Sequence, residues 1–371
     1  MKIAAFNVEN LFDRAKVFNA TQTVSNPINE DFVELNNLFE NNIYSPADKA
    51  RMIKLLKDLG MDKSDTGDYV ILRKIRGALV KRPKNKPMEI VANGRADWVG
   101  WAELKTETVD EIAIINTGRV IKDVDADILC VVEAEDRITL KKFSEFVLKK
   151  IGGIPYDHIM LVDGNDERGI DVGVLTKKAF EILTVRSHIH DKDNNGRIIF
   201  SRDSPEYVIK TPLNNTLVVI PNHFKSKYGG NDPASQAKRV LQATKVVEIY
   251  NRLLNDGFTN IVVLGDLNDT PDSDALQVIF TCTDLKDVSS HNSFDRGQIN
   301  TNGTFGNGSD ANKIDYLLLS PNLFGKVKQS GLFRKGAWAG KNPKKWEMYP
   351  EITSEVHVAS DHHVIWAEIN I

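Results

Sequence analysis

Acidic, amide and imidazole side chains recur where short apolar segments of the sequence begin or end. The segment VVLGDLNDTPDS (262–273) is the clearest case, because apolar residues lead directly to Asp266 and Asn268, and Pro271 then prevents further strand pairing. The same pattern recurs elsewhere, with Asn7 and Glu9, Glu133, Asn222 and His223, Asp315, and Asp361 and His362. The pattern therefore places reactive groups at the ends of predicted strands.

These groups predict a metal centre if the strand ends converge. The site would then hold three or four carboxylates, two histidines and two or three amides. Like charges a few ångströms apart push one another towards the neutral form, so a divalent cation is needed to compensate them. The candidate ligands are mainly oxygens and include no cysteine thiolate, which indicates Mg²⁺ or Mn²⁺ rather than zinc.

Each motif also has a simpler structural explanation when it is taken alone. An Asp-Asn pair after a strand is usually a turn, SDHH (360–363) is compatible with a cap, and KIDY (313–316) is compatible with a surface ion pair. The segment HDKDNNG (190–196) imitates a calcium loop, but its twelfth position is Arg202 where glutamate is required, so we favour a hairpin turn. The motifs indicate chemistry through their number and order.

The segments between the motifs predict an α/β fold. Ser45 and Asp48 form a capping-box pattern at the start of a predicted helix over 45–60. Further helices are predicted near 108–124, 140–151, 234–254 and 274–280, and most of the remaining apolar segments after residue 125 are predicted strands. Runs of strands separated by helices indicate two packed sheets with helices outside. We expect a single domain over 1–371 with an insertion at about 14–107.

The composition is typical of a soluble globular protein. The chain has 371 residues, of which 41% are hydrophobic and 27% charged. Two distant cysteines, Cys130 and Cys282, provide no disulfide framework, and no apolar segment approaches the ~20 residues of a membrane span. We therefore expect a cytoplasmic protein with no membrane association and no evident protein partner.

Positive charge is concentrated in two segments, although the net charge is −3. Residues 71–88 and residues 321–346 each contain seven lysines or arginines and no acid. Such clusters attract polyanions at low salt, and they are equally compatible with a solvated surface that binds nothing. DNA or RNA is the partner that they would favour.

Seven segments together resemble the endonuclease/exonuclease/phosphatase superfamily, and more closely its bacterial nuclease-like branch. In chain order they are FNVENLF, VVEAED, RGIDVGVL, NHFKSK, GDLND, KIDYLLLS and SDHHVIW. The resemblance covers residues 1–13 and about 125–371. It implies a four-layer α/β/β/α sandwich of two mostly antiparallel sheets with helices outside, and Mg²⁺-dependent phosphoester hydrolysis at one edge.

The resemblance also implies a role for each matching residue. The implied metal ligands are Glu133, Asn7, Glu9 and Asp361; the implied catalytic residues are His362, Asp315, Asp266, Asn268 and His223; and the candidates for binding the substrate phosphate are Arg168, Asn222 and Lys225. His362, oriented by Asp315, and Asp266 are rival candidates for the general base. The family usually has Leu-Gln-Glu where this chain has VVEAED, which leaves the contacts around Glu133 open.

The function that fits these observations is metal-dependent phosphoester hydrolysis by a nuclease that cleaves DNA or RNA. The alternative is a phosphatase or phosphodiesterase that acts on a small phosphorylated molecule or a lipid headgroup. A binding protein that has lost the chemistry is disfavoured, because every acid, amide and histidine position of the pattern is present. The basic segments favour the nuclease.

Overall fold

The computed structural model describes residues 1–9, 11–19, 22–166, 168–227, 232–341 and 344–371. The strands are β1 Lys2–Asn7, β2 Asp13–Ala15, β3 Val70–Arg76, β4 Val80–Lys81, β5 Glu89–Ile90, β6 Val99–Leu104, β7 Thr106–Thr108, β8 Ile128–Ala134, β9 His158–Leu161, β10 Asp171–Thr176, β11 Glu181–Arg186, β12 Glu206–Lys210, β13 Thr216–His223, β14 Ile261–Asp266, β15 Lys286–Asp287, β16 Phe294–Asp295, β17 Asp315–Leu319, β18 Val327–Phe333 and β19 Val364–Ile369. The α-helices are α1 Gln22–Phe39, α2 Pro46–Asp58, α3 Glu111–Val124, α4 Arg137–Lys142, α5 Pro233–Asn255, α6 Asp274–Cys282 and α7 Pro321–Phe324.

The chain divides into two compact units, and the larger one comprises residues 1–12, 109–227 and 231–371. Its seven-stranded sheet has the order β16-β18-β19-β1-β8-β10-β9, and its six-stranded sheet has the order β11-β12-β13-β14-β17-β15. Neighbouring strands are antiparallel except for the pairs β16/β18, β1/β8 and β13/β14. The predicted pair of mostly antiparallel sheets with helices outside is confirmed.

Side-chain alternation along the strands produces the layers of this unit. The inner faces of both sheets share one core, to which β1 contributes Ile3 and Ala5 and β14 contributes Val262 and Leu264. The outer face of the seven-stranded sheet packs on α3, and the outer face of the six-stranded sheet packs on α5 and α6. Side chains that continue an inner face beyond the end of its strand therefore emerge between the two sheets.

The smaller unit comprises residues 13–108 of the described chain and has its own core. It contains α1, α2 and three two-stranded sheets, β2/β7, β3/β6 and β4/β5. The predicted capping box of α2 is confirmed, because Ser45 accepts from the Asp48 amide while the Asp48 carboxylate accepts from the Ser45 amide. That this unit is an insertion within one domain stays a prediction.

Some predicted boundaries shift for local reasons. The helix predicted near 108–124 begins at Glu111, because the Asp110 carboxylate caps it by accepting from the Ile112 amide at 2.8 Å. The helix predicted near 140–151 consists of α4 followed by a π-helical turn over Phe143–Leu148. Strand β18 is a feature that the sequence did not indicate. None of the helices within the described ranges combines the length and the apolar character needed to cross a bilayer.

Candidate active site

Strand alternation brings three predicted site residues to the same edge between the sheets. In β14, Val262 and Leu264 belong to the core between the sheets, so Asp266 lies on that same inner face. Asp315 at the start of β17 and Asn7 at the end of β1 also lie on the inner faces of their strands. All three are buried.

His362 lies at the centre of this cluster. Its Nδ1 is 2.8 Å from Oδ2 of Asp315, and its Nε2 is 4.0 Å from Oδ2 of Asp266 and 3.4 Å from Nδ2 of Asn7. The next residue, His363, points away and packs its ring edge-on against Trp346. The carboxylate of Asp315 therefore fixes one ring nitrogen of His362 and leaves the other directed at the cluster.

Asp266 is held in place by Asn268. The Asn268 amide donates to Oδ1 of Asp266 at 2.8 Å, and its side-chain Nδ2 donates to Oδ2 at 3.0 Å. The residue before Asp266 must be glycine, because Gly265 has a φ of 118° and a Cβ there would lie 2.2 Å from the carbonyl oxygen of Asn222. The turn after β14 thus orients both oxygens of one carboxylate.

Glu133 reaches the cluster through a β-bulge. In the β8/β10 pairing, Asp171 lies opposite Ala134 and Val172 lies opposite Val132, which leaves Glu133 as the extra residue, with a φ of 65°. Its Oε1 lies 3.5 Å from Nε2 of His223, at the end of β13. Without the bulge, alternation would place the Glu133 side chain on the outer face of the sheet.

Backbone strain is concentrated among the predicted site residues. Among the residues that the structure describes, six other than glycine have a positive φ, and three of them are Glu9, Glu133 and Asn268. Such conformations cost about 1–3 kcal/mol each and persist where the surroundings enforce them, which is common at functional sites. This clustering favours a functional interpretation of the strand ends over simple turns.

Glu9 and Asp361 lie at the rim of the cluster. Oε2 of Glu9 accepts from the Asp361 amide at 3.3 Å, and the Glu9 amide donates to Oδ1 of Asn7 at 3.1 Å. Oδ1 of Asp361 is 3.8 Å from Nε2 of His362, and its side chain is 43% exposed. These two acids therefore border the cluster on its solvent side.

The pKa values of the two histidines of the cluster are shifted in opposite directions. Burial alone would lower the pKa of His362, but the Asp315 carboxylate outweighs it and holds that pKa well above its usual value. Burial, reinforced by the positive charge of Arg168, lowers the pKa of His223 to about 3. Burial and the neighbouring Asp315 raise the pKa of Asp266 well above its usual value. His223 is therefore neutral at neutral pH, whereas the Asp315 carboxylate favours the charged form of His362.

Of the predicted phosphate-binding residues, two lie beside the cluster. Arg168 is bound by Asp166, to which its Nε and a terminal nitrogen donate at 2.8 Å each, and its charge acts on His223 and on Lys225. Burial and then Arg168 lower the pKa of Lys225. Asn222, in contrast, is fully buried and donates to the carbonyl of Ile220 at 3.0 Å.

Alternation explains why Asn222 is not brought to the cluster. Val218 and Ile220 face α5, whereas Leu217 and Val219 face the other sheet. Asn222 continues the first set and His223 the second. The sequence could not separate the two, because both lie at the end of one strand.

Two buried side chains of α5 hold the loop that follows β13 and contains Lys225 and Lys227. Gln242 accepts from the Lys225 amide at 2.8 Å, and Arg239 donates to the Lys225 carbonyl at 3.2 Å. Asp269 bridges Arg239 and Lys227 at 2.8 and 2.5 Å. A long helix behind the sheet thereby positions cationic residues beside the site.

Several residues that support the site are not indicated by the sequence. Buried Arg202 pairs with Asp166 at 2.8 Å, the Thr304 hydroxyl accepts from the Asp315 amide at 2.9 Å, and the Phe305 ring lies 4.9 Å from the His362 ring. Arg202, Thr304 and Phe305 belong to none of the motifs. Each meets its partner only in the folded chain.

The donor set fits a divalent cation. Asp266, Asp315 and His362 each offer an atom within 4.8 Å of the others, and theirs is the only such histidine/carboxylate triad among the described residues. The raised pKa of Asp266 reflects buried negative charge that a cation would compensate. The predicted ligands Glu133, Asn7, Glu9 and Asp361 border this triad and add further oxygen donors.

Comparison with known proteins identifies the family. A family model described as Endonuclease/Exonuclease/phosphatase family matches residues 79–339. The chain belongs to the endonuclease/exonuclease/phosphatase family. It is therefore a phosphoesterase of this superfamily. The matched range includes Glu133, His223, Asp266 and Asp315, whereas Asn7 and His362 lie outside it and are joined to the others by the fold.

Solved structures are similar to this chain at low sequence identity. A mannosyl-6-phosphatase of Bacteroides thetaiotaomicron is 16% identical, with a TM-score of 0.50 over 70% of this chain and 90% of its own. A family member from Bacteroides vulgatus is 19% identical (TM-score 0.49, 69% and 91% covered), and the catalytic domain of human nocturnin is 13% identical (TM-score 0.48, 71% and 89% covered). A search of curated proteins found no match. The substrate of this family member does not follow from these similarities.

Proposed function

We propose that this family member is a metal-dependent hydrolase that cleaves phosphodiester bonds of DNA or RNA. The observation that carries the proposal is the buried His362–Asp315 pair, with Nε2 of His362 directed at Asp266. An imidazole with one nitrogen held by a carboxylate and the other free to exchange a proton is typical of general acid–base catalysis. Asp266 is the second candidate for accepting the proton of the attacking water.

The remaining groups would bind the phosphate. Neutral His223 and the guanidinium of Arg168 would face the non-bridging oxygens of the substrate phosphate, with Lys225 beside them. Asp166 holds the Arg168 guanidinium through two parallel hydrogen bonds, so its direction is fixed before substrate arrives. Asn268 would orient the Asp266 carboxylate towards the attacking water.

Glu133 and Asn7 would hold Mg²⁺ or Mn²⁺, with Glu9 and Asp361 at the rim. A bound divalent cation would neutralise charge on the phosphate and lower the pKa of a bound water. Buried Asp266 supports this assignment, because its carboxylate shares the inner edge with Asp315 and needs a counter-charge. The protein itself supplies the proton-transfer groups and the orientation of the phosphate.

The basic segment 71–88 supports a polynucleotide as substrate. Arg73 is paired with Glu103, and Arg82 is paired with Asp65. The lysines at positions 74, 81, 84 and 86 and Arg76 are exposed, and no carboxylate within the described ranges pairs with any of them. Unpaired cations on one segment would bind successive phosphates of a nucleic acid backbone.

The second basic segment favours the alternative, a phosphatase of small molecules. Within 321–346, Arg334 is buried and donates to the carbonyls of Arg296 and Gly303, while Lys335 pairs with Glu347. Part of this positive charge thus has a structural role. A small phosphorylated molecule would need only the groups around His362.

A substrate panel in Mg²⁺ tests the proposal. We expect cleavage of long single-stranded or duplex DNA or RNA, and little turnover of phosphomonoesters such as a sugar phosphate. His362→Ala should lower the activity by ~10²–10⁴, whereas His190→Ala, which changes an exposed histidine outside the cluster, should leave it unchanged. Efficient turnover of the monoester without nucleic acid cleavage would contradict the nuclease and support the phosphatase.

A further inference from the structure

The sheet β3/β6 of the smaller unit exposes apolar side chains on its outer face. Trp101 is 44% exposed and Val99 37% exposed, and Ile75, at a bulge in β3, is 69% exposed. The opposite face is buried through residues such as Leu72 and Ala102. Large exposed apolar side chains grouped on one small sheet are a feature of interaction surfaces.

The indole N–H of Trp101 has a hydrogen-bond partner within the sheet. Its Nε1 donates to Glu103 at 3.2 Å, and Glu103 accepts two hydrogen bonds from Arg73, each 3.0 Å long. Arg73 lies directly across from Trp101 in the strand register. The ring is therefore held in position while nearly half of its surface stays open to solvent.

A cation borders this aromatic ring. Arg76 follows the bulge on the same strand and is exposed without a carboxylate partner in the described part of the chain, whereas Lys74 lies across from Gly100, on the face opposite Trp101. Arg76 lies across from Val99. Glu103 also lies on this face, and its negative charge is paired with Arg73. The face thus combines a held aromatic ring, apolar side chains and positive charge.

We propose that the outer face of β3/β6 binds single-stranded nucleic acid, with a base stacked on Trp101 and a phosphate bound by Arg76. This rests on the proposed function, in which the substrate is a polynucleotide. Every base has a π-face that can stack on an aromatic side chain, and cations nearby track the backbone. Duplex bases are already stacked on one another, so the face favours a single strand.

Binding of a fluorescent 20-nucleotide single strand to the full chain tests this, measured by anisotropy in EDTA so that no cleavage occurs. We expect Trp101→Ala to raise Kd roughly 5- to 150-fold, since stacking contributes about 1–3 kcal/mol per base. Trp101→Phe should retain part of the affinity. Phe146→Ala, which removes an exposed aromatic of the other unit, should leave Kd unchanged. Thermal unfolding of each variant checks the fold.

Each outcome decides between the two proposals. If the wild type binds the single strand and Trp101→Ala changes Kd less than twofold, the stacking face is wrong and the nuclease stands. If the wild type hydrolyses a chromogenic phosphodiester but binds no nucleic acid, both the polynucleotide substrate and the face are wrong. If Trp101→Ala instead abolishes self-association in sedimentation without affecting Kd, the face binds a second copy of this chain, which overturns the proposal.

Discussion

The pairing of His362 with Asp315 makes a quantitative prediction. Removing a general acid or base usually lowers kcat by ~10²–10⁴, so we expect this for His362→Ala. The bond from Nδ1 of His362 to Asp315 is 2.8 Å long and both residues are buried. Because a hydrogen bond to a charged group contributes about 1.5–3 kcal/mol, Asp315→Asn should lower kcat roughly 10- to 150-fold.

The double variant shows whether Asp315 acts through His362. If it does, the double variant should be little worse than His362→Ala, because the two residues work as a unit. The assay is kcat on a chromogenic phosphodiester at saturating Mg²⁺, with His190→Ala as the control. Losses that multiply, so that the double variant is a further ten-fold or more below His362→Ala, would refute this role of Asp315.

Three further predictions concern charges around the site and in the two units. Changing Lys81, Lys84 and Lys86 to Ser should raise KM for long DNA or RNA and flatten the log K against log salt slope by up to ~0.9 per lost duplex contact, measured in a salt titration; Arg82 is left intact because it pairs with Asp65. Asp166→Asn should release Arg168 and raise KM for a chromogenic phosphodiester about 5- to 10-fold with little change in kcat, in steady-state kinetics. His188→Asn should lower the free energy of unfolding most between pH 4.5 and 6.5, measured by urea titration at several pH values, because His188 lies 2.6 Å from Glu206.

The sign of the His188 prediction follows from the two pKa shifts. Burial opposes both charged forms, but the hydrogen bond between the two side chains outweighs it, so the pKa of His188 is raised and that of Glu206 lowered. The histidine contribution is complete below its ordinary value of 6.5 and is lost as pH rises through the raised pKa; the glutamate contribution is present above 4.5 and is lost as pH falls. A stability difference that grows towards pH 9 would contradict the pairing.

The other two predictions have their own controls. Changing Lys141, Lys149 and Lys150 to Ser removes the same charge from exposed positions outside the basic segment and should leave the salt slope unchanged. If both triple variants flatten the slope equally, residues 71–88 are an ordinary solvated surface. For Asp166→Asn, a fall in kcat with unchanged KM would show that Asp166 does not act by positioning Arg168 for substrate binding.

The ends of the strands were predictable from the sequence, because alternation and the following turn residues are local signals. Asn7, Asp266 and His362 follow or precede apolar segments whose period fixes the face on which each side chain lies. Glu133 was placed at the right strand end, but the bulge that turns it inward depends on the β8/β10 register, which no local pattern reveals. Asn222 shows the reverse case, since one position along β13 moves it to the face opposite His223.

Contacts between distant segments could not be predicted from the sequence. Arg202 and Asp166 are 36 positions apart and belong to no motif, so their buried ion pair emerges only when the loops meet. The apolar segment WVGWAEL (98–104) does not by itself show which of its tryptophans is buried: Trp98 is fully buried, whereas Trp101 is 44% exposed. The two tryptophans are three positions apart, and the β6 pairing, which begins at Val99, places Trp101 on the outer face.

The most direct test of the central claim is metal dependence of phosphodiester hydrolysis. The protein is stripped of metal by exhaustive chelation and dialysis, and hydrolysis of a chromogenic phosphodiester is followed as Mg²⁺ or Mn²⁺ is added back. We predict no turnover without metal and recovery on addition, because the oxygen donors around Glu133 and Asp266 need a cation to act on a phosphate. Full activity in the stripped protein would contradict the proposed mechanism.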